Sequence, residues 1–317
     1  MTEERQCQVI SFINMKGGVG KTTLTIGIAD YLANYKNKKV LVIDADPQFN
    51  ATQGLLEEYK KLKELEKELK TTNEEERLKE LEEKLKEHDS EKDITYYTEQ
   101  VLKNKKTIYQ LFQPQRDMTE SFKTPDSSEL IVELIEDNKL DILCGDLNLV
   151  LANKNSDYSL IKRIKNFIAD NKLRSIYDYI FIDCPPTLTI YTDSALMASD
   201  YYIIPNRIDR YSIIGIDSLQ KAVGNLIHEE RIDLKCLGII YTMVYSNINK
   251  KQARIKTDFE SKSVVNNLEI FNAKSHVVNH IQFGSSGTLP TKYKASREDI
   301  EAISLELERK IEDVREG

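Results

Sequence analysis

A chain of 317 residues that is 40% hydrophobic and 31% charged can build one large α/β domain with insertions, but it carries more charge than a globular average. Its net charge of −7 is concentrated, because residues 57–93 hold roughly fifteen acids against ten bases; the near-neutral remainder therefore does not exclude nucleic acid. Cys7, Cys144, Cys184 and Cys236 form no C-x-x-C pair, Met1–Gln6 is polar and no apolar run approaches a membrane span, which excludes a disulfide scaffold and predicts a cytoplasmic protein without a membrane partner.

From the amino terminus, the apolar run Val9–Ile13 ends at a glycine-rich turn and predicts a buried parallel strand. Thr22–Tyr35 predicts a helix and Lys39–Asp44 the next strand. Leucines then recur at Leu55, Leu62, Leu65 and Leu69, and again at Leu78, Leu81 and Leu85, one narrow stripe on each of two helices. Thr71–Asn73 supplies the turn between them. This charged stretch predicts a helical, coiled-coil-like hairpin standing out from the core; each arm is short for independent association. The polar run Gln113–Ser128, with two prolines, predicts a surface loop. Beyond it come a helix over Leu160–Asn171, strands over Tyr177–Asp183 and Tyr201–Pro205, and a helix over Ile213–Glu229. A strand over Leu234–Met243 and helices over Lys250–Lys262 and Arg297–Arg315 complete the chain. Such alternation predicts an α/β fold: a mostly parallel twisted sheet flanked by helices on both faces, with ligands at the carboxyl ends of the strands.

The chemistry falls at those ends. Lys16-Gly17-Gly18-Val19-Gly20-Lys21-Thr22-Thr23 stands between a strand and a helix. Gly20-Lys21-Thr22 completes the phosphate-loop frame G-x-x-x-x-G-K-[ST], while the frame's first glycine falls at Met15. Glycines let backbone N–H groups converge on phosphate oxygens, and the helix adds its positive end. Lys21 is placed for the β- and γ-phosphates and Thr22 for Mg²⁺. Lys16 is a second lysine with no role in an ordinary P-loop. Downstream, Tyr177–Asp183 is an apolar strand ending in an acid and followed by Cys184-Pro185-Pro186, an arrangement that holds Mg²⁺, often through water.

Lys-Gly-Gly-Val-Gly-Lys-Thr-Thr resembles the deviant Walker A motif of the ParA/MinD family, and Asp44-Ala45-Asp46-Pro47-Gln48-Phe49-Asn50-Ala51-Thr52 resembles its D-x-D-P-Q-G-N-A-T switch, with Phe49 in place of glycine. Asp183 and Pro185 match the family's D-x-P-P. Pro205, Asp209, Ser212 and Gly215 follow its I-P-x-x-x-D-x-x-S-x-x-G segment. The resemblance implies the P-loop NTPase fold over residues 1–54 and 106–317, with 55–105 as an insertion. It implies ATP and Mg²⁺ as cofactors, Asp46 orienting the attacking water, and Asp44 supporting the metal. Pro47, Gln48 and Pro185 become switch residues, and Thr242 and Met243 approach the adenine.

By the same resemblance Lys16 acts in trans, reaching the partner's ATP across a homodimer formed on ATP. The ATP dimer binds DNA non-specifically on the nucleoid, here through Lys250, Lys251, Arg254, Lys256 and Lys262, and a ParB-like adaptor stimulates hydrolysis to segregate plasmid or chromosomal DNA. Two alternatives stay open: a positioning ATPase for a non-DNA cargo, and a non-catalytic scaffold that uses the hairpin.

Overall fold

Seven strands form one sheet in the computed structural model, which describes residues 7–61, 96–113, 123–152, 158–209, 212–245, 250–278 and 287–316. They are β1 (Gln8–Phe12), β2 (Val40–Asp44), β3 (Val132–Ile135), β4 (Leu140–Leu143), β5 (Tyr179–Asp183), β6 (Tyr201–Arg207) and β7 (Lys235–Thr242). The order is β3-β4-β2-β5-β1-β6-β7. All neighbours are parallel except the β3–β4 pair at one edge. The central parallel strands are short, apolar and buried on both faces, which is why they read as unbroken runs rather than as alternations.

Successive residues of each strand feed opposite layers. Ile10, Phe12, Val40, Val42 and Phe181 point into a layer with α1 (Lys21–Lys36) and the carboxyl-terminal helix. Val9, Leu41, Ile43, Ile180 and Ile182 point into the other, against two central helices and a longer one. In chain order the further helices of seven residues or more among the described residues are α2 (Asn50–Leu56), α3 (Arg163–Asp170), α4 (Ile190–Ala198), α5 (Ser212–Glu230), α6 (Lys250–Glu260) and α7 (Lys294–Glu316). Helix α1 lacks a polar face because it lies between the sheet and α7; even Asp30 in its middle is buried. Asp30 accepts hydrogen bonds from Thr291, Tyr59 and Asn34, which answers the cost of burying a carboxylate.

The expected parallel sheet is thus present, with differences at its margins. Strands β3 and β4 and helices α2 and α4 add to the elements that the hydrophobic pattern predicts. The helix expected over Leu160–Asn171 is a 3₁₀ turn, Tyr158–Lys162, followed by α3. Leu55, expected on the hairpin, instead closes α2 with Leu56, and both are buried in the core. Most of the predicted hairpin lies outside the described residues. Its flanks are wide π-type turns, Glu57–Lys61 and Tyr97–Leu102. Among the described residues no helix is long and apolar enough to cross a membrane.

Candidate functional site

The central position of β1 decides where the site lies. Its carboxyl end opens into the glycine loop, with β5 on one side and β6 on the other. Gly18 and Gly20 take φ of 68° and 79°, left-handed values that a side chain would resist. Gly20 caps α1, so the loop's amides and the helix's positive end face one cavity. That cavity has a volume of about 980 Å³. Gly17–Thr23 form its floor, and Asp46, Gln48, Phe49, Pro186 and Met243 contribute to its walls.

Lys21 is buried, and its ammonium donates to the Lys16 carbonyl at 3.4 Å. Burial lowers its pKa, and Asp183 and Asp46 oppose that shift. The Thr22 hydroxyl donates to Asp183 at 2.7 Å. Burial holds the Asp183 carboxyl above the usual range, against the pull of Thr22 and Lys21. This hydroxyl–carboxylate pair is a fit for Mg²⁺: two hard oxygens meet beside a phosphate loop, and a cation would offset the cost of ionising so buried an acid. Among the described residues no three His, Cys, Asp or Glu side chains form a metal cluster, so a cation held by Thr22 and Asp183 would draw its further ligands from water and phosphate.

Asp44 is fully buried, and its Oδ2 takes both the amide and the hydroxyl of Thr52, each at 2.8 Å. Its Oδ1 accepts from the Asp46 amide at 3.2 Å. Burial and the nearby Asp183 raise its pKa well above the ordinary value. Asp44 therefore shapes the switch loop from inside, whereas Asp46 lies on the cavity wall and accepts from the Gln48 amide at 2.9 Å. Thr242 donates to the Val19 carbonyl at 2.7 Å and braces the loop from behind, while Met243 faces the cavity.

Lys16 turns away from its own cavity. Its ammonium pairs with Asp209, and its stem lies 3.8 Å from where a Cβ on Gly215 would stand. Two members of the P-x-x-x-D-x-x-S-x-x-G segment thus frame this lysine, a relation no local spacing reveals. Asp209 also borders a second cavity of about 1000 Å³, lined by Lys250, Lys251, Arg254 and Lys262 with Asp258. Lys256 lies outside it, beside Glu260 and over the Tyr241 ring.

Strand, glycine loop, lysine, hydroxyl and helix, with an acid at the adjacent strand end, define the P-loop NTPase class. A family model described as an AAA domain matches residues 7–236. The chromosome partitioning protein ParA of Myxococcus xanthus is 29% identical over 244 residues, which are 76% of this chain and 67% of that protein. Among solved structures, a plasmid partition protein from Borrelia burgdorferi has a TM-score of 0.63 at 22% identity, covering 96% of this chain and 100% of its own. A complex of Cyanothece McdA with ATP has a TM-score of 0.65 at 19% identity, covering 95% and 96%. At such identities the structures speak for the fold alone. The chain belongs to the matched AAA-domain family, as a member of its ParA/MinD ATPases.

Proposed function

We propose that this protein is a Mg²⁺-dependent ATP hydrolase that dimerises on ATP, binds DNA non-specifically in that state, and is driven to hydrolysis by a ParB-like adaptor to segregate plasmid or chromosomal DNA. The observation that carries this reading is the convergence of Lys21, Thr22, Asp46 and Asp183 at the carboxyl ends of β1, β2 and β5. Lys21 and the loop amides bind the β- and γ-phosphates. Bound Mg²⁺ supplies charge neutralisation on the phosphates, and Thr22 and Asp183 are the residues that would hold it. Asp46 orients a water for in-line attack on the γ-phosphorus; the bond to the bridging oxygen breaks, leaving ADP and phosphate. The Borrelia relative is a plasmid partition protein, the Myxococcus relative a chromosome partitioning protein, and McdA was solved with ATP.

Dimerisation is supported by exposed apolar side chains in the segments that follow the carboxyl ends of three strands. Leu147, Val150 and Leu151 follow β4, Leu188 follows β5 and Ile214 follows β6; all are exposed. Exposed large apolar side chains of this kind suit a surface that a partner covers, and a second copy would bring its Lys16 to the strand ends.

Phosphate release from ATP tests the reading. Asp46→Ala should lower turnover about 10²- to 10⁴-fold and leave ATP affinity within a few-fold. Unchanged turnover in the variant, or no turnover in the unsubstituted protein, would refute it.

A further inference from the structure

Phe49 occupies the place that glycine holds in the family's switch motif, and it adopts a left-handed backbone, φ 42° and ψ 36°. Bulky residues seldom take this conformation, and it persists only where neighbours hold it. Three contacts do so here. The Phe49 amide donates to the Asp46 carbonyl at 2.9 Å. Its Cβ lies against Gly145, where an added Cβ would come within 2.7 Å. Its ring is stacked on Tyr97, with centroids 4.8 Å apart and planes 13° from parallel.

Tyr97 engages the same loop a second time, from behind. Its buried hydroxyl donates to the Gly145 carbonyl at 2.8 Å, and the Gly145 amide donates to the Thr52 hydroxyl at 2.8 Å. Thr52 in turn donates to Asp44, which holds the Asp46 amide. One side chain therefore meets the segment after Asp46 at two points: the ring at Phe49, the hydroxyl through Gly145 at Thr52. Tyr97 itself comes from the closing flank of the 55–105 stretch, outside every motif that the family resemblance covers, and it lines the cavity.

We propose that Tyr97 is a positioning residue for ATP hydrolysis, fixing the switch loop through the Phe49 stack and the Gly145 hydrogen bond so that Asp46 holds its place. Glycine adopts a left-handed backbone without a partner to hold it; here the aromatic pair helps to hold Phe49 in that conformation. The inference rests on the hydrolytic reading of the site.

The test uses the full chain with Tyr97→Leu, Tyr97→Phe, Phe49→Leu and the double variant Tyr97→Leu/Phe49→Leu. Tyr97→Leu should lower kcat about ten- to a hundred-fold with KM within about two-fold, as expected when a catalytic group is misplaced and binding is not. Tyr97→Phe keeps the stack and should recover most of the loss. The double variant should be no worse than Tyr97→Leu alone, because the stack that Phe49→Leu removes is already lost in Tyr97→Leu. Amide exchange should accelerate at residues 46–52 and stay unchanged in β1 and β5. Asp46-dependent turnover that is indifferent to Tyr97→Leu, a KM effect alone, additive losses, or exchange accelerated throughout the sheet would each overturn this inference and leave the hydrolytic reading standing. Absence of turnover in the unsubstituted protein would overturn both.

Discussion

The Lys16 ammonium reaches both oxygens of the Asp209 carboxylate, at 2.6 and 2.5 Å. The two side chains are 28% and 30% exposed, so solvent only partly screens the pair. Lys16 opens the loop after β1 and Asp209 follows β6, the neighbouring strand. On the proposed reading Lys16 must leave this carboxylate to act on another subunit's nucleotide, so the pair would set a threshold for assembly.

Asp209→Asn removes that competitor. With hydrolysis blocked by Asp46→Ala, ATP-dependent dimerisation should then require about three- to five-fold less protein, the scale of a partly exposed ion pair. Sedimentation velocity over a concentration series measures it. An unchanged or weaker dimer would show that the pair does not open on assembly.

The two lysines of the loop should separate by readout. Lys21→Ala removes a buried ammonium next to the cavity floor and should weaken ATP binding about ten-fold or more. Lys16→Ala should leave monomer affinity within about two-fold and abolish the ATP dimer, since its ammonium faces Asp209 rather than the cavity. Calorimetric titration at low protein concentration, followed by sizing with ATP, distinguishes them.

Lys250, Lys251, Arg254 and Lys262 share one concavity, so their contribution to DNA binding should be collective. If all four meet phosphates, log affinity should fall against log salt with a slope of about −4, and Lys250→Ala/Arg254→Ala should reduce that slope by about 2. Lys256→Ala, whose ammonium lies over Tyr241, should change it little. Fluorescence anisotropy with two unrelated duplexes checks both statements, and a flat salt dependence would remove the assignment.

Asp141 on β4 predicts a pH dependence of stability. It is buried, and Tyr177 donates to its Oδ2 at 2.5 Å. Burial raises its pKa to about 6, opposed by the Tyr177 bond and reinforced by Glu133. The folded state therefore binds more protons than the unfolded chain between about pH 4 and pH 6, and stability is lost as pH rises through that window. A shift of about two units corresponds to about 3 kcal/mol. Asp141→Asn should remove that dependence, so the stability difference between variant and unsubstituted protein should move by this amount from pH 4 to pH 7. Urea midpoints across the range measure it; parallel curves would contradict the assignment.

Phosphate chemistry needs contiguous residues, so Lys16–Thr23 and the run into Asp183 are legible in the order of residues alone. Strands β1, β2, β5, β6 and β7 are legible for a related reason: burial leaves a nearly unbroken apolar run, whereas in the four residues of β4 the run is broken by the buried Asp141. Strand β3 is not, because its four residues, Val-Glu-Leu-Ile, are too few to set a period at a half-exposed edge. Nor are the contacts that tune the site. Phe49 is visible as a departure from the motif, but its partner lies 48 residues on in the chain, carried back by a segment with its own charge-rich pattern. Asp209 matches a motif whose function only the fold supplies, by laying Gly215 and Asp209 along the Lys16 side chain.

Strand β1 precedes the other six strands of the sheet in the chain, yet its two neighbours are β5 and β6. Thr22 and Asp183 are 161 positions apart, and Lys16 and Asp209 are 193 apart. A ribosome must therefore translate more than 160 residues beyond the glycine loop before the loop can meet Asp183 or Asp209, and β1 has to slot between two strands made long after it. Closing such distant contacts is slow, and an unpaired β1 edge is exposed while it waits. Nucleotide competence should thus arrive only once β5 and β6 have both been made, all at once, and truncated chains ending before β6 should bind no ATP.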